Sequence, residues 1–169
     1  MKIAILGYSG SGKSTLASFL GKRYELPVLH LDSIQFLPKW EIRDKDERAA
    51  LYGQFLEEHA NGWVIDGNYT ALDFDQRLEE ADVILLLLFP ALRCLWRCFK
   101  RYRANRNRVR ESMAEGCEEK LDAEFIRWIL WESRTARHRT RYHAIIERYP
   151  EKVTVLKSQQ QIDRYMKMI

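Results

Sequence analysis

Residues 1–15 read Met1-Lys-Ile-Ala-Ile-Leu-Gly7-Tyr8-Ser9-Gly10-Ser11-Gly12-Lys13-Ser14-Thr15. The apolar run Ile3 to Leu6 predicts a short buried strand, and Leu16, Phe19 and Leu20 recur behind it at helical spacing. Between them lies G-x-x-x-x-G-K-S, from Gly7 to Ser14. Strand, glycine loop, Lys-Ser and helix in that order make a phosphate-binding loop, or P-loop. Its glycines let backbone N–H groups curl round a phosphate with no Cβ in the way. The helix adds its free N–H groups and positive dipole end. Gly7, Ser9, Gly10, Ser11, Gly12, Lys13, Ser14 and Thr15 are therefore expected to hold a nucleotide's phosphates. Lys13 is expected to reach the β- and γ-phosphates, and the Ser14 hydroxyl to ligate Mg²⁺. A Gly/Ser turn that merely caps a helix gives the lysine no role. A dinucleotide-binding fold would use Asp32 as a ribose acid, but it wants G-x-G-x-x-G where this chain has G-x-x-G-x-G.

The chain has 169 residues, one domain in size, and its 46% hydrophobic and 31% charged residues suit a soluble globular protein. Its longest apolar run, Val83–Phe89, is far short of a bilayer span. With the first residues spent on a strand, no signal peptide is expected. Cys94, Cys98 and Cys117 are an odd number, which fits a reduced, cytoplasmic protein. Cys94 and Cys98 stand one helical turn apart without further ligands at metal-type spacing, so no zinc site is expected. Charge is divided unevenly. Residues 1–92 hold 9 Lys/Arg against 14 Asp/Glu, and residues 93–169 hold 19 against 10, for a net charge of +4. An acidic front and a strongly basic back suit nucleic acid or a multiply charged small anion.

Along the chain, a helix over Ser14–Arg23 is followed by a strand, Val28–Leu31, ending at Asp32. Short apolar strands joined by helices predict a parallel sheet buried on both faces, with ligands at the carboxyl ends of the strands. Residues 33–43 show no period and read as a loop, with Phe36, Leu37 and Trp40 either core flaps or pocket lining. Asp44 and Glu47 suggest a capping box before a helix that carries Leu51, Tyr52, Phe55 and Leu56. Trp63-Val-Ile is the third strand and ends at Asp66-Gly67, the place for a Walker-B-like Mg²⁺ partner. A weak helix over Asp73–Ala81 leads to Val83–Phe89, read as the central strand. Leu92, Leu95, Trp96 and Phe99 form an apolar stripe expected to anchor the next helix. Around and after that stripe come eight cations in eighteen residues, from Arg93 to Arg110, read as a basic lid over about residues 100–120. One long helix, with Arg127, Arg134, Arg137, Arg139 and Arg141 on its outer face, is predicted to run from Asp122 to Tyr149. A fifth strand, Lys152–Ser158, and a helix over Gln161–Ile169 close the chain, with Ser158–Gln160 expected near a purine.

The combination Gly7–Ser14, His30-Leu31-Asp32, Trp63-Val-Ile-Asp-Gly-Asn-Tyr69 and Met113-Ala-Glu-Gly-Cys117-Glu-Glu-Lys120 resembles the bacterial DNA topology modulation protein family. That family is similar to adenylate kinases, among the P-loop nucleoside and nucleotide kinases, and the resemblance spans essentially the whole chain. Where the family carries Pro-Asp before the Met-Ala-Glu-Gly-Cys stretch, this chain has Glu111-Ser112. The resemblance implies a single P-loop kinase-like domain over 1–169. Its fold would be a three-layer α/β/α P-loop NTPase with a five-stranded parallel sheet, nucleotide-kinase-like, with a basic helical lid. Adenylate kinases typically end their third strand Asp-Gly-Phe-Pro-Arg, whereas here Asn68-Tyr69-Thr70 follow Asp66-Gly67. The arginine that grips a monophosphate is missing, and Arg77 is the candidate to replace it.

These readings converge on phosphoryl transfer from ATP with Mg²⁺ to a small acceptor bearing a hydroxyl or a phosphate. Gly10–Thr15 would bind ATP, Asp66 would hold Mg²⁺ through water, and Asp32 would orient the acceptor hydroxyl. Arg97, Arg106 and Arg110 would neutralise the migrating phosphoryl group. A GTPase would need Asn-Lys-x-Asp, and the nearest string, Glu119-Lys-Leu-Asp122, lacks the asparagine. The rival reading is an ATP-binding nucleic-acid-associated protein that affects DNA topology. The family name and the basic back half favour that reading, but the sequence shows no helix-turn-helix or zinc finger. No membrane contact and no particular oligomeric state are implied.

Overall fold

The computed structural model describes residues 1–105, 112–114 and 116–169. Five strands form one parallel sheet: β1 (Lys2–Gly7), β2 (Val28–His30), β5 (Trp63–Asp66), β6 (Val83–Leu87) and β7 (Val153–Leu156). Their order is β2-β5-β1-β6-β7. The central strand is therefore β1, which corrects the reading of Val83–Phe89 as the centre. In β1, Ile3 pairs with Val64 on one side and Val83 on the other. Both strands are apolar throughout, so hydropathy alone does not separate the middle from its neighbour. Ile3 to Leu6 and Ile84 to Leu87 are all 1% exposed or less. Successive strand residues point to opposite faces, so both faces of the sheet are covered by helices.

α1 (Lys13–Tyr24) packs against β1, β2 and β5, and buries Leu16, Ala17 and Leu20. The segment read as a loop is structured. α2 (Leu31–Gln35) leads into a hairpin of β3 (Phe36–Leu37) and β4 (Glu41–Ile42), joined by a 3₁₀ turn at Pro38–Trp40. α3 (Lys45–Glu58) starts under the expected cap, with Asp44 Oδ1 accepting from the Asp46 and Glu47 N–H groups. α4 (Phe74–Glu80) precedes β6.

α5 (Ala91–Ala104) shows a second difference from expectation. Its buried residues are Cys94 and Cys98, while Leu92, Trp96 and Phe99 of the apolar stripe are 75%, 56% and 39% exposed. The small cysteines face inward where α5 lies close against the P-loop at Gly10. The predicted long helix is two: α6 (Ala123–Leu130) and α7 (Ala136–Arg148), separated by a 3₁₀ turn at Glu132–Arg134. Arg134 turns inward there and does not lie on an outer face. Its guanidinium donates to the Ile129 and Phe89 carbonyls, at 2.9 Å each, and lies over the Tyr8 ring. α8 (Gln159–Met168) follows β7, capped by the Ser158 hydroxyl.

Of the lid segment, Met113, Ala114 and Cys117 form a satellite core with Phe36 and Trp40 of the hairpin. Lys39 N–H donates to the Gly116 carbonyl, Trp40 Nε1 to the Glu118 carbonyl and Cys117 Sγ to the Leu37 carbonyl. Arg101 of α5 is ion-paired to Glu119 at 3.0 Å, so hairpin, lid segment and α5 join into one wall. All three cysteines are buried and none is in a disulfide. Among the described residues no helix is long and apolar enough to cross a membrane.

Candidate functional site

The P-loop leaves β1 at Gly7 and turns through left-handed backbone at Gly10 (φ +79°) and Gly12 (φ +99°). Gly12 is the N-cap of α1, and no side chain caps the helix, so its first-turn N–H groups are available to an anion. Lys13 Nζ donates to the Tyr8 carbonyl at 3.3 Å. α5 presses on the loop from outside. A Cβ on Gly10 would lie 2.6 Å from both the Cys94 carbonyl oxygen and Cys98 Sγ, and one on Gly12 would lie 2.6 Å from Arg97 Nη2. Arg97 Nε donates to the Gly10 carbonyl at 3.0 Å, Arg97 Nη1 donates to Gln159 Oε1, and the guanidinium lies over the Phe89 ring. This cation is thus fixed against the loop that would hold the phosphates.

A cavity of about 880 Å³ opens in front of the loop. Ser9, Gly10, Gly12, Lys13, Ser14 and Thr15 line it, whereas Gly7 and Ser11 do not. Gly7 packs on the Leu87 backbone and Ser11 is wholly buried. α5 contributes Arg93, Arg97, Lys100 and Arg101 to the wall. With Lys13 these make five cations, and Asp32 is the one acid among the described lining residues. Such a cavity concentrates a multiply charged anion by field alone. Gln159, from the segment expected near a purine, also lines it.

Asp32 lies in the first turn of α2, and its Oδ1 accepts from the Tyr69 hydroxyl at 2.6 Å. Burial, then the Asp32 charge, pushes the Tyr69 phenol far above its ordinary range, so it remains a neutral donor. Asp66 ends β5 and is 4% exposed. Its Oδ1 lies 2.6 Å from Nδ1 of His30, its partner in the β2–β5 register, and it is not on the cavity wall. The fold therefore brings Lys13, Ser14, Asp32 and Arg97 to one space and sets Asp66 behind it. Arg106 and Arg110 lie outside the described residues. Arg77, the candidate phosphate grip, is 2% exposed, and its Nη2 donates to the Gly67 carbonyl at 3.3 Å. Burial pulls its pKa down, and it does not reach the cavity.

Three features escape the sequence reading. Met113 is brought onto the cavity wall by the joined hairpin and lid segment, beside Trp40, for which pocket lining is one of the two expected roles. Lys39 and Trp40 both adopt left-handed backbone (φ +65° and +67°), which no glycine or asparagine signals. Tyr69, the partner of Asp32, follows a strand end whose Asp-Gly drew attention to the acid alone. Only the position of Tyr69 after that motif could have marked it.

No family model and no curated protein matches the chain. Solved structures do. An uncharacterized protein from Eubacterium ventriosum ATCC 27560 superposes with a TM-score of 0.55 at 16% identity, covering 99% of this chain and 94% of that one. Deoxyadenosine kinase from M. mycoides with bound dATP gives a TM-score of 0.55 at 16% identity, covering 99% of this chain and 98% of that one. The parallel sheet with flanking helices is thus a P-loop nucleoside kinase fold.

Proposed function

We propose that the chain is an ATP-dependent phosphotransferase that moves the γ-phosphoryl group to a hydroxyl of a small acceptor. One observation carries this reading: the Asp32 carboxylate shares a single cavity with Lys13, Ser14 and Arg97. A P-loop alone suits any nucleoside triphosphatase, whereas a held carboxylate facing it suits an alcohol acceptor. The likeness to deoxyadenosine kinase supports the same chemistry, and a nucleoside is the first acceptor to try.

In this reading Gly10–Thr15 and the first turn of α1 cradle the ATP phosphates, and Lys13 leaves the Tyr8 carbonyl for the β- and γ-oxygens. Arg97 spreads the charge that develops on the migrating group without first having to move. Asp32 uses the oxygen not held by Tyr69 to orient the acceptor hydroxyl and accept its proton. Arg106 and Arg110 are proposed as further lid cations. Ser14 is proposed to ligate Mg²⁺ directly, and Asp66, set behind the cavity against His30, to hold it through water. A hydroxyl completed by phosphates and water is a hard-oxygen set of the kind Mg²⁺ takes. When bound, the ion neutralises charge on the phosphates.

The test is transfer from γ-labelled ATP across a panel of nucleosides, nucleoside monophosphates, small alcohols and acids. Wild type is expected to label one class and Lys13→Ala none. Asp32→Asn is expected to slow transfer by about 10²–10⁴-fold with ATP affinity nearly intact. Weakened ATP binding in Asp32→Asn would count against its acceptor role.

The alternative of a nucleic-acid-associated protein that affects DNA topology draws on the aromatic and basic stretch of α5 that runs from Trp96 and Lys100 on the cavity wall to Phe99 and Arg103. There Trp96 and Phe99 stack with ring centroids 5.9 Å apart, with Lys100 and Arg103 over the rings. ATP hydrolysis that appears only when DNA is added, with no acceptor labelled, would favour it.

A further inference from the structure

The turn that follows Asp66 contacts both the start of the P-loop and the Asp32 carboxylate. Gly67 N–H donates to the Ile5 carbonyl at 3.1 Å, which fixes the turn to β1. Its backbone is left-handed (φ +137°), and a Cβ there would lie 2.8 Å from the Leu31 side chain, so glycine is required. Asn68 clamps the first P-loop residue at two points. Gly7 N–H donates to Asn68 Oδ1 at 3.0 Å, and Asn68 Nδ2 donates to the Gly7 carbonyl at 2.7 Å. One residue on, the Tyr69 hydroxyl donates to Asp32 Oδ1 at 2.6 Å. Arg77 braces the turn through the Gly67 carbonyl. Neither Asn68 nor Tyr69 is among the described residues that line the cavity, so each is placed to act through the residue it holds.

We propose that Asn68 and Tyr69 are positioning residues that set the geometry between phosphoryl donor and acceptor, Asn68 at the P-loop end and Tyr69 at the Asp32 end. The inference rests on Asp32 being the acceptor's carboxylate, as proposed above. A carboxylate rotates broadly about its last torsion, and a donor fixed to one oxygen selects the orientation that presents the other. The amide of Asn68 does the equivalent for the strand-to-loop junction at Gly7, from which the cavity-lining part of the loop departs. Because both side chains leave one turn, the two ends are registered to each other. A misplacement of about 1 Å at a reacting centre costs roughly 10²-fold in rate.

Adjacent residues should then give opposite kinetic signatures. Tyr69→Phe, which deletes one oxygen, is expected to lower the single-turnover transfer rate about 10- to 100-fold, the effect of a lost hydrogen bond to a charged group. Its calorimetric affinity for ATP·Mg²⁺ should stay within about twofold of wild type. Asn68→Ala is expected to weaken ATP·Mg²⁺ binding about tenfold, the effect of its lost hydrogen bonds. Asn68→Asp, which keeps the acceptor and loses the donor, serves if the alanine variant does not fold. With the acceptor that the panel labels fastest, Tyr69→Phe in the Asp32→Asn background should add no further loss. Multiplying losses in that double variant, or weakened ATP binding by Tyr69→Phe, overturns the Tyr69 assignment and leaves the Asp32 reading standing. Wild-type ATP affinity in the Asn68 variants overturns the Asn68 assignment without reference to any acceptor. Wild-type transfer by Asp32→Asn, or silence across the panel, overturns the Asp32 reading and the Tyr69 assignment with it.

Discussion

At the scale of single residues, the P-loop glycines answer to two masters. Gly10 needs its left-handed backbone for the loop to turn, and it also needs the absence of a Cβ because the α5 backbone stands 2.6 Å from where one would be. The first demand is visible in the G-x-x-G-x-G spacing; the second is not, because α5 begins some eighty residues later. Gly10→Ala is therefore expected to cost about 2–4 kcal/mol, strain and clash together, as read by urea unfolding. A cost near zero would mean that α5 yields easily. Asp32 and Tyr69 show a similar division. The acid is legible at the end of a strand, while the phenol that holds it is 37 positions away and carries no motif of its own.

At the scale of elements, helix existence is legible and helix continuity is not. Phe125, Ile126, Ile129 and Leu130, then Tyr142, Ile145 and Ile146, suit the face of one helix, yet the chain breaks at Glu132–Arg134. Arg134 explains why the break holds: Nε and Nη1 satisfy two carbonyls, Nη2 lies 3.3 Å from Cys94 Sγ, and the guanidinium plane covers Tyr8. A straight helix would carry that fork into solvent. Lysine offers one ammonium in place of a planar fork, so Arg134→Lys is expected to lose about 2–3 kcal/mol, nearly as much as Arg134→Ala. Thermal unfolding of the two variants checks this. Rescue by lysine would show that charge, not the fork, matters. The outward stripe on α5 follows the same logic. Trp96 and Phe99 are the larger apolar residues, but Cys94 and Cys98 are the ones turned inward where α5 approaches the P-loop.

At the scale of the molecule, charge and shape agree. Among the described residues five lining cations and one acid make a cavity that gains from a bound polyphosphate. ATP·Mg²⁺ at about a hundred times its dissociation constant is expected to stabilise the fold by roughly 2.7 kcal/mol. In a chain of 169 residues that raises Tm by about 5–10 °C, and Lys13→Ala should abolish most of the rise. An equal rise in the variant would place the nucleotide elsewhere. The sequence by itself determined the strand–loop–helix that opens the chain, the alternation of apolar strands and helices, and the parallel α/β class, because these depend on local hydrogen bonding and on periodicity within a few residues. Tertiary structure alone decided that β1 is central, that Asp66 pairs with His30 off the cavity wall, and that Arg77 is buried away from the cavity. Those outcomes depend on which strands become neighbours and which side chains meet across the sheet. Contacts between distant residues are selected by packing the whole core at once, and they leave no periodic trace in the chain.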